Sequence, residues 1–273
     1  MKKKNNQILV IEPMFSENKY LKSEILKKFR NVTFNYKKVD KNQVIQLLKN
    51  NEGLVLGLQP FDSKVIHSAK KLKIVVKFGT GLDNVDLEAC KKNKIKVINA
   101  PKLNSISVAE LVLSCAINLK RKINKNHFFL KKGKWNKIEG EEIYKKKVGI
   151  IGLGAAGKEV AKRFYHFGSK IYANDLIYDK KFLKKFDIEK SSKLNILKNC
   201  DIITLHVPLT KKTYNLINKN NLKFLKKYSI LINTSRGTIV NLKDLSRIKD
   251  KKKLSIFIDV FDKEPFLNKK FLN

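Results

Sequence analysis

A glycine motif is the group of residues whose spacing points most directly to chemistry. Gly152, Gly154 and Gly157 follow an apolar run typical of a strand and precede an amphipathic stretch typical of a helix, in the pattern G-x-G-x-x-G. The first glycine permits a tight turn, the second lets the backbone approach a diphosphate, and the third lets the helix pack closely on the sheet. Unpaired N–H groups at the positive helix end would then bind the anion. The motif predicts a dinucleotide site, and the alternative is a strand-to-helix turn with no ligand.

A carboxylate downstream of the motif indicates which dinucleotide is bound. Asp175 lies at the end of the next predicted strand. A carboxylate at that position accepts hydrogen bonds from the adenosine ribose hydroxyls and repels a 2′-phosphate. The sequence therefore predicts NAD rather than NADP as the cofactor.

The elements that must position these residues alternate between strands and helices. Short β-branched runs alternate with amphipathic stretches through residues 1–100, and a second series begins at Lys146. Alternation of this kind predicts parallel sheets covered by helices on both faces. We therefore predict an α/β protein with two doubly wound parallel-sheet domains, residues 1–100 and residues 101–273, the second including a linker helix.

The second domain is predicted in more detail. Ser107 and Glu110 have capping-box spacing at the start of the linker helix, and the helix after the glycine motif should bury Val160, Phe164 and Phe167. Five strands can be recognised, at residues 148–151, 170–173, 201–206, 229–233 and 254–259. A doubly wound dinucleotide domain commonly has about six strands. We therefore expect this domain to be incomplete at its C-terminal end.

Five segments together resemble a known family. They are KFGTGLDNVDLEACKKNKIKVINAPKLNSISVAE, IIGLGAAGKEVAKRFYHFG, DIITLHVPLT, LINTSRGTIVN and FIDVFDKEP. Their order is similar to that in the D-isomer-specific 2-hydroxyacid dehydrogenases, most closely the phosphoglycerate dehydrogenase branch. The resemblance implies a flavodoxin-like substrate domain and a Rossmann NAD-binding domain that close on a cleft. It also implies hydride transfer between NAD and the CH–OH group of a small D-2-hydroxy acid, with 3-phosphoglycerate as first candidate.

The resemblance implies roles for particular residues. Arg236 matches the arginine that holds the substrate's carboxylate and carbonyl, and Gly79, Thr80 and Gly81 match a loop whose backbone N–H groups reach that carboxylate. Asp259 matches a carboxylate near the nicotinamide carboxamide. The remaining implied cofactor contacts come from Ala155, Ala156, His206, Val207, Pro208, Thr234 and Ser235. The two alanines stand where the family often has Arg or His and then Ile, so they would offer backbone contacts only.

The implied catalytic pair has one recognisable member. Glu264 matches the glutamate that hydrogen-bonds the catalytic histidine, which in the family follows this glutamate. The sequence ends nine residues later, and none of its four histidines matches: His67, His127, His166 and His206. We therefore expect a fragment without the general acid/base, with weak or no NADH oxidation by 2-oxo acids. A second hypothesis is a noncatalytic NAD(H)-binding sensor or interaction module, to which Arg236 and Glu264 would be of no use.

The formal net charge of +36 raises the question of a nucleic-acid partner. Only five of the 60 basic residues are arginines, and the lysines are spread along the chain. Proteins that recognise nucleic-acid bases favour arginine, whose guanidinium forms bidentate hydrogen bonds. A bias toward A/T-rich codons would give the same excess of Lys, Asn and Ile. We predict no specific nucleic-acid partner, only nonspecific attraction to polyanions.

Composition also bears on location and assembly. No apolar run approaches the roughly 20 residues that a bilayer span requires, and the basic N-terminus lacks a signal-peptide cleavage site. We predict a cytoplasmic protein with no membrane partner, no metal site and three reduced cysteines, Cys90, Cys115 and Cys200. The linker helix and the region of Trp135 match the family's dimerisation segment, which implies a homodimer.

Overall fold

The computed structural model describes residues 4–264 of the chain. The chain divides between Leu103 and Asn104 into two compact units. Each unit contains one sheet in which all the paired strands are parallel. The predicted class, an α/β protein with two parallel sheets, is confirmed.

Five parallel strands form the sheet of the first unit: β1 (Lys4–Val10), β2 (Phe29–Phe34), β3 (Gly53–Leu56), β4 (Ile74–Lys77) and β5 (Lys96–Ile98). Their order across the sheet is β2-β1-β3-β4-β5. This is the order of flavodoxin-like sheets. Every residue of β3 is buried, as expected for a central parallel strand covered on both faces.

Aspartates begin three of the helices in this unit. The side chains of Asp40, Asp62 and Asp86 each accept a hydrogen bond from a backbone N–H three residues later, which satisfies an otherwise unpaired donor. The helices are α1 (Pro13–Glu17), α2 (Lys19–Lys28), α3 (Lys41–Leu48), α4 (Ser63–Ser68) and α5 (Leu87–Lys92). Their apolar faces cover a core that includes Leu9, Leu56 and Phe61, each fully buried.

Six parallel strands form the sheet of the second unit: β6 (Lys147–Ile151), β7 (Lys170–Asn174), β8 (Ile188–Lys190), β9 (Ile202–Leu205), β10 (Ile230–Asn233) and β11 (Ser255–Ile258). Their order is β11-β10-β9-β6-β7-β8. Numbered within the unit this is 6-5-4-1-2-3, the order of a Rossmann fold. The sequence analysis identified five of these strands and missed β8, a three-residue strand at the sheet edge.

The second unit's α-helices are α6 (Ser105–Arg121), α7 (Ile123–Lys131), α8 (Ala155–His166), α9 (Lys180–Lys185), α10 (Lys193–Asn199), α11 (Lys219–Leu222) and α12 (Leu242–Ile248). A short 3-10 helix spans Gly237–Ile239. The core beneath α6 and α8 includes Val112, Ala116, Val160 and Phe164, all fully buried.

Two local predictions in this unit are wrong. The linker helix α6 begins at Ser105, so Ser107 lies inside its first turn and cannot act as the N-cap. Glu110 instead faces Arg163 of α8 across 3.5 Å. On α8, Val160 and Phe164 are buried as expected, but Phe167 is the C-cap residue and stays 46% exposed. The chain turns away there through Gly168, whose φ is +71°.

Within residues 4–264, no helix has the length and apolar content needed to cross a membrane. The same part of the chain contains no cluster of three or more His, Cys, Asp or Glu side chains arranged to hold a metal ion. Cys90, Cys115 and Cys200 are buried and unpaired. Burial raises the pKa of the Cys115 thiol to about 11 and that of the Cys200 thiol to about 12, so both are protonated and unreactive at neutral pH.

Candidate functional site

The glycine motif forms a sharp turn between β6 and α8. Gly152 has a φ of +99°, and its N–H donates to the carbonyl of Asn174 at 2.8 Å. A methyl group there would lie 2.6 Å from the carbonyl atoms of His206, and a methyl at Gly157 would lie 2.0 Å from the carbonyl oxygen of Gly152. These two glycines are therefore required by packing. A methyl at Gly154 would meet nothing within 4 Å, so this residue faces open space.

The amino end of α8 is open to a ligand. Gly154 is the N-cap residue, and no side chain caps the helix. Ala155, Ala156 and Gly157 make up the first turn, where backbone N–H groups have no partner within the helix. A helix N-terminus of this kind, reached through a glycine with open space beside it, suits an anionic diphosphate. The residues present therefore fit the diphosphate of a dinucleotide.

Asp175 follows β7 and is held in place by backbone donors. One carboxylate oxygen accepts a hydrogen bond from the N–H of Leu153, and the other accepts from Leu176 at 2.6 Å and Ile177 at 3.2 Å. Its own N–H donates to the hydroxyl of Tyr178 at 2.9 Å. The carboxylate therefore lies beside the glycine turn in a fixed orientation, as a ribose-binding residue must.

A cavity of about 710 Å³ lies beside this turn. Its wall includes six of the predicted site residues: Gly152, Gly154, Asp175, His206, Val207 and Pro208. The sequence analysis missed the rest of the wall, which comprises Ile151, Asn174, Leu176, Thr210, Lys211, Lys212, Thr213 and Leu216. The repeated threonine in T-K-K-T was a usable signal, because hydroxyl side chains often stabilise tight turns after a strand. The wall is largely apolar, which suits an adenine ring.

His206 is a neutral, structural residue of this wall. Its backbone N–H donates to the carbonyl of Ile151 at 2.7 Å, and the Nε2 of its ring lies 2.8 Å from the hydroxyl of Thr204. Burial lowers the pKa of His206 to about 4. A ring that is neutral at pH 7 cannot serve there as the proton donor of a carbonyl reduction.

The loop after β10 carries three predicted site residues. The side chain of Asn233 accepts from the N–H of Ser235 at 3.1 Å and donates to the carbonyl of Arg236 at 2.9 Å, which fixes the turn. The Ser235 hydroxyl donates to the carbonyl of Leu205, tying this loop to β9. The Arg236 guanidinium donates through Nη1 to the carbonyl of Ser235 at 2.7 Å. The Thr234 hydroxyl is buried and has no hydrogen-bond partner among the described residues.

Asp259 and Glu264 follow β11. The N–H of Asp259 donates to the carbonyl of Asn233 at 3.0 Å, which places Asp259 beside the loop after β10, and its side chain is exposed. Glu264 is exposed and accepts a hydrogen bond from the N–H of Phe261 at 2.9 Å. The carboxyl ends of five neighbouring parallel strands thus bring together the glycine turn, Asp175, His206, the 234–236 loop and Asp259.

The predicted substrate loop belongs to the first unit, after β4. Gly79 has a φ of +135°, which favours glycine, and its carbonyl accepts from the N–H of Ala100 at 3.4 Å. The carbonyl of Thr80 accepts from the side chain of Asn99 at 2.7 Å, and Gly81 follows at the surface. Just before the loop, Lys77 is 5% exposed and donates to the carbonyl of Gly57 at 2.6 Å. The sequence analysis did not single out this buried lysine.

Fold and site together define a dinucleotide-binding α/β protein, and comparison with known proteins identifies its family. Residues 113–273 match the family model "D-isomer specific 2-hydroxyacid dehydrogenase, NAD binding domain". The chain therefore belongs to the D-isomer-specific 2-hydroxyacid dehydrogenase family, as the resemblance predicted. The matched region is that family's NAD-binding domain, which confirms NAD as a cofactor.

Individual relatives agree with this assignment. The chain is 36% identical to D-3-phosphoglycerate dehydrogenase of Methanocaldococcus jannaschii over 230 residues, covering 82% of this chain and 44% of the relative. It is 32% identical to glyoxylate reductase of Korarchaeum cryptofilum, covering 82% of this chain and 70% of the relative. The crystal structure of D-lactate dehydrogenase from Aquifex aeolicus with NAD and lactic acid superimposes with a TM-score of 0.86 at 26% identity, covering 98% and 83% of the two chains. The chain spans less than half the length of the phosphoglycerate dehydrogenases it matches.

Proposed function

We propose that this chain is the NAD-binding and substrate-binding part of an oxidoreductase acting on the CH–OH group of a small D-2-hydroxy acid. The observation that carries the proposal is the arrangement at one sheet edge: an uncapped helix after Gly154, the fixed carboxylate of Asp175, and Arg236 two strands away in the sheet. Ligands of doubly wound sheets bind outside the carboxyl ends of the strands. The helix end and Asp175 would therefore bind NAD, and Arg236 would bind the substrate.

NAD supplies a hydride acceptor, and this chain's residues would hold and orient it. The first turn of α8 binds the diphosphate, and Asp175 accepts from the adenosine ribose. His206, Val207 and Pro208 form one wall, and the 234–235 backbone forms another. Asp259 would accept a hydrogen bond from the carboxamide.

Arg236 would bind the substrate's carboxylate. A guanidinium has five N–H donors in a planar fork, a geometry that matches a carboxylate bidentately. The Gly79–Thr80–Gly81 loop of the first unit would, as the resemblance implies, offer backbone N–H groups to a carboxylate. The left-handed backbone at Gly79 turns the chain sharply at that point, as anion-binding loops require.

The acid/base is the group that we propose is missing from residues 1–273. His206 is neutral and is hydrogen-bonded to the side chain of Thr204. His67 contacts the Ser63 carbonyl within α4, His166 packs on Tyr165 and Phe186, and His127 lies on the surface helix α7. None of the four follows Glu264 in the sequence, where the resemblance implies the catalytic histidine. We expect NADH oxidation two to four orders of magnitude slower than in a relative that has the histidine, because general acid catalysis typically contributes about that much.

The substrate is proposed from the relatives' names and from the first unit's surface. D-3-phosphoglycerate is the first candidate, and glycerate and glyoxylate are the next, because relatives are phosphoglycerate dehydrogenases and glyoxylate reductases. Exposed Met14, Leu58 and Phe78 follow β1, β3 and β4 of the first sheet, and Phe78 directly precedes the glycine loop. A 2-oxo acid with an apolar substituent therefore belongs in the substrate panel.

The first test is NADH binding measured by nucleotide fluorescence, followed by NADH oxidation with the substrate panel. We expect saturable NADH binding that Asp175→Ala weakens about tenfold, the effect of losing one hydrogen bond to a charged group. Lys227→Ala, an exposed change before the amino end of β10, is the control. Binding that is unaffected by Asp175→Ala would contradict the placement of the ribose. Turnover as fast as that of a complete relative would contradict the missing acid.

A noncatalytic NAD(H)-dependent interaction module is the second candidate. None of the four histidines in residues 1–273 matches the family's acid/base, which would fit this role. Pull-downs with and without NADH would test this role, and an identical set of partners in both would count against it.

Assembly and location are proposed on separate grounds. Four large apolar side chains on and after α7 are exposed, which supports a homodimer that would cover them: Ile123, Phe128, Leu130 and Trp135. We propose a cytoplasmic location because the named relatives are metabolic enzymes. Nucleic acids would bind only nonspecifically, through the lysine excess.

A further inference from the structure

Two lysines lie in the wall of the nucleotide cavity. Lys211 and Lys212 belong to the turn after β9, in the same cavity wall as Asp175 and Leu176. The turn is fixed by Thr213, whose hydroxyl accepts from the N–H of Thr210 at 2.7 Å and donates to the carbonyl of Pro208 at 2.6 Å. The backbone that carries the two lysines is therefore held in place beside the cavity.

Among the described residues, no carboxylate neutralises either lysine. Within residues 4–264, Lys211 and Lys212 form no ion pair, and both are exposed. Nearby Lys158 on α8 differs, because its ammonium is paired with Asp179 at 2.9 Å. The uncompensated positive charge at this cavity thus comes from the turn after β9.

The charge of Asp175 is partly offset before any ligand binds. Its two carboxylate oxygens accept hydrogen bonds from three backbone N–H groups, of Leu153, Leu176 and Ile177. In an NAD-selective site the carboxylate excludes a 2′-phosphate by repulsion, and in an NADP site a nearby basic group accommodates it. This cavity contains both kinds of group. Ammonium groups are effective phosphate binders as point charges.

We propose that the cavity accepts NADP as well as NAD, with Lys211 and Lys212 as the residues that set this specificity by contacting the 2′-phosphate. The proposal rests on the nucleotide site proposed above. It predicts that the dissociation constant for NADP lies within about tenfold of that for NAD, because the two ammonium groups would offset the repulsion of the 2′-phosphate by Asp175.

The test is titration calorimetry of the full chain with NAD⁺ and NADP⁺. The variant Lys211→Ala/Lys212→Ala is compared with Lys227→Ala/Lys251→Ala, which removes the same charge from exposed positions before the amino ends of β10 and β11. We expect the first pair to raise the ratio of the NADP⁺ constant to the NAD⁺ constant by about tenfold, and the control pair to leave it within about twofold.

Three results would overturn the proposal: a wild-type ratio above about 100, a ratio that Lys211→Ala/Lys212→Ala leaves unchanged, or equal changes in both variant pairs. The last would mean that only overall charge matters. Failure of both nucleotides to bind wild-type protein would instead contradict the nucleotide site. NAD⁺ binding without NADP⁺ binding would leave that site intact and refute this inference alone.

Discussion

Substituting Gly157 by alanine should push the first turn of α8 away from the carbonyl of Gly152. The change should weaken both the stability of the fold and the binding of NAD. The added methyl would lie 2.0 Å from the Gly152 carbonyl oxygen and 3.0 Å from its carbon. An unstrained contact between such atoms needs more than about 3 Å, so α8 must shift by roughly 1 Å. The obstacle is backbone, which cannot rotate away as a side chain can.

The expected cost follows from that displacement. Overpacking of this size typically costs 1–3 kcal/mol, which in a unit of this length lowers Tm by about 2–10 °C. A 1 Å shift of the helix N-terminus should also lose at least one charge-assisted hydrogen bond to the diphosphate. That loss weakens NADH binding by about 10- to 100-fold.

Gly154→Ala provides the matched comparison. Its methyl meets nothing within 4 Å, and a φ of −70° is ordinary for alanine. We expect a loss of stability of no more than about 1 kcal/mol, from the poorer N-cap. The methyl would nevertheless occupy space that the diphosphate needs, so NADH binding should fall at least about tenfold.

Thermal unfolding and NADH titration of the two variants decide the matter. Gly157→Ala should lose stability and affinity together, whereas Gly154→Ala should lose affinity with little change in Tm. Wild-type affinity in Gly154→Ala would refute the placement of the diphosphate at this turn. Wild-type Tm in Gly157→Ala would refute the packing argument.

Three further predictions concern other parts of the site. Burial lowers the pKa of His206 from its ordinary value of 6.5 to about 4. The stability that the neutral ring contributes is therefore fully present above pH 6.5 and is lost as the pH falls toward 4, by at most about 3 kcal/mol. His206→Gln should flatten that part of the curve of unfolding free energy against pH, and an unchanged curve would contradict the assignment. Arg236→Lys should weaken binding of oxamate to the NADH complex about tenfold or more while leaving the NADH dissociation constant within about twofold, because lysine lacks the bidentate fork; equal loss of both would point to a structural role. Phe128→Glu with Trp135→Glu should convert a dimer to a monomer in sedimentation equilibrium, and a variant that remains dimeric would place the interface elsewhere.

Much of the fold was predictable because most of its strands can be recognised from their own sequence. The central strands β3, β6, β9 and β10 are buried on both faces and appear in the sequence as apolar runs between turn residues. The glycine motif could be placed at a strand–helix junction for the same reason. The parallel orientation of the strands then followed from the βαβ pattern.

The failures concern features that leave a weak or misleading pattern in the local sequence. Strand β8 has three residues, with one of them buried, so it leaves no periodic pattern. The start of α6 was misplaced because Ser107 has the spacing of a capping box, while the helix actually begins at Ser105 without a side-chain cap. Lys211 and Lys212 look like any other lysines in this sequence. Only the folded turn after β9 brings them to the cavity.

Because the chain is rich in lysine, the absence of an ion pair at Asp175 among the described residues indicates a binding role for its carboxylate. The chain has 60 basic and 24 acidic residues, so a carboxylate should readily find a cation. Asp62, Asp179 and Asp201 do so, with Lys41, Lys158 and Lys226 respectively. Asp175 forms no ion pair within residues 4–264 and is held by backbone N–H groups alone. A fixed carboxylate that stays unpaired among so many lysines, at the edge of a cavity, has the properties needed to accept hydrogen bonds from a ribose.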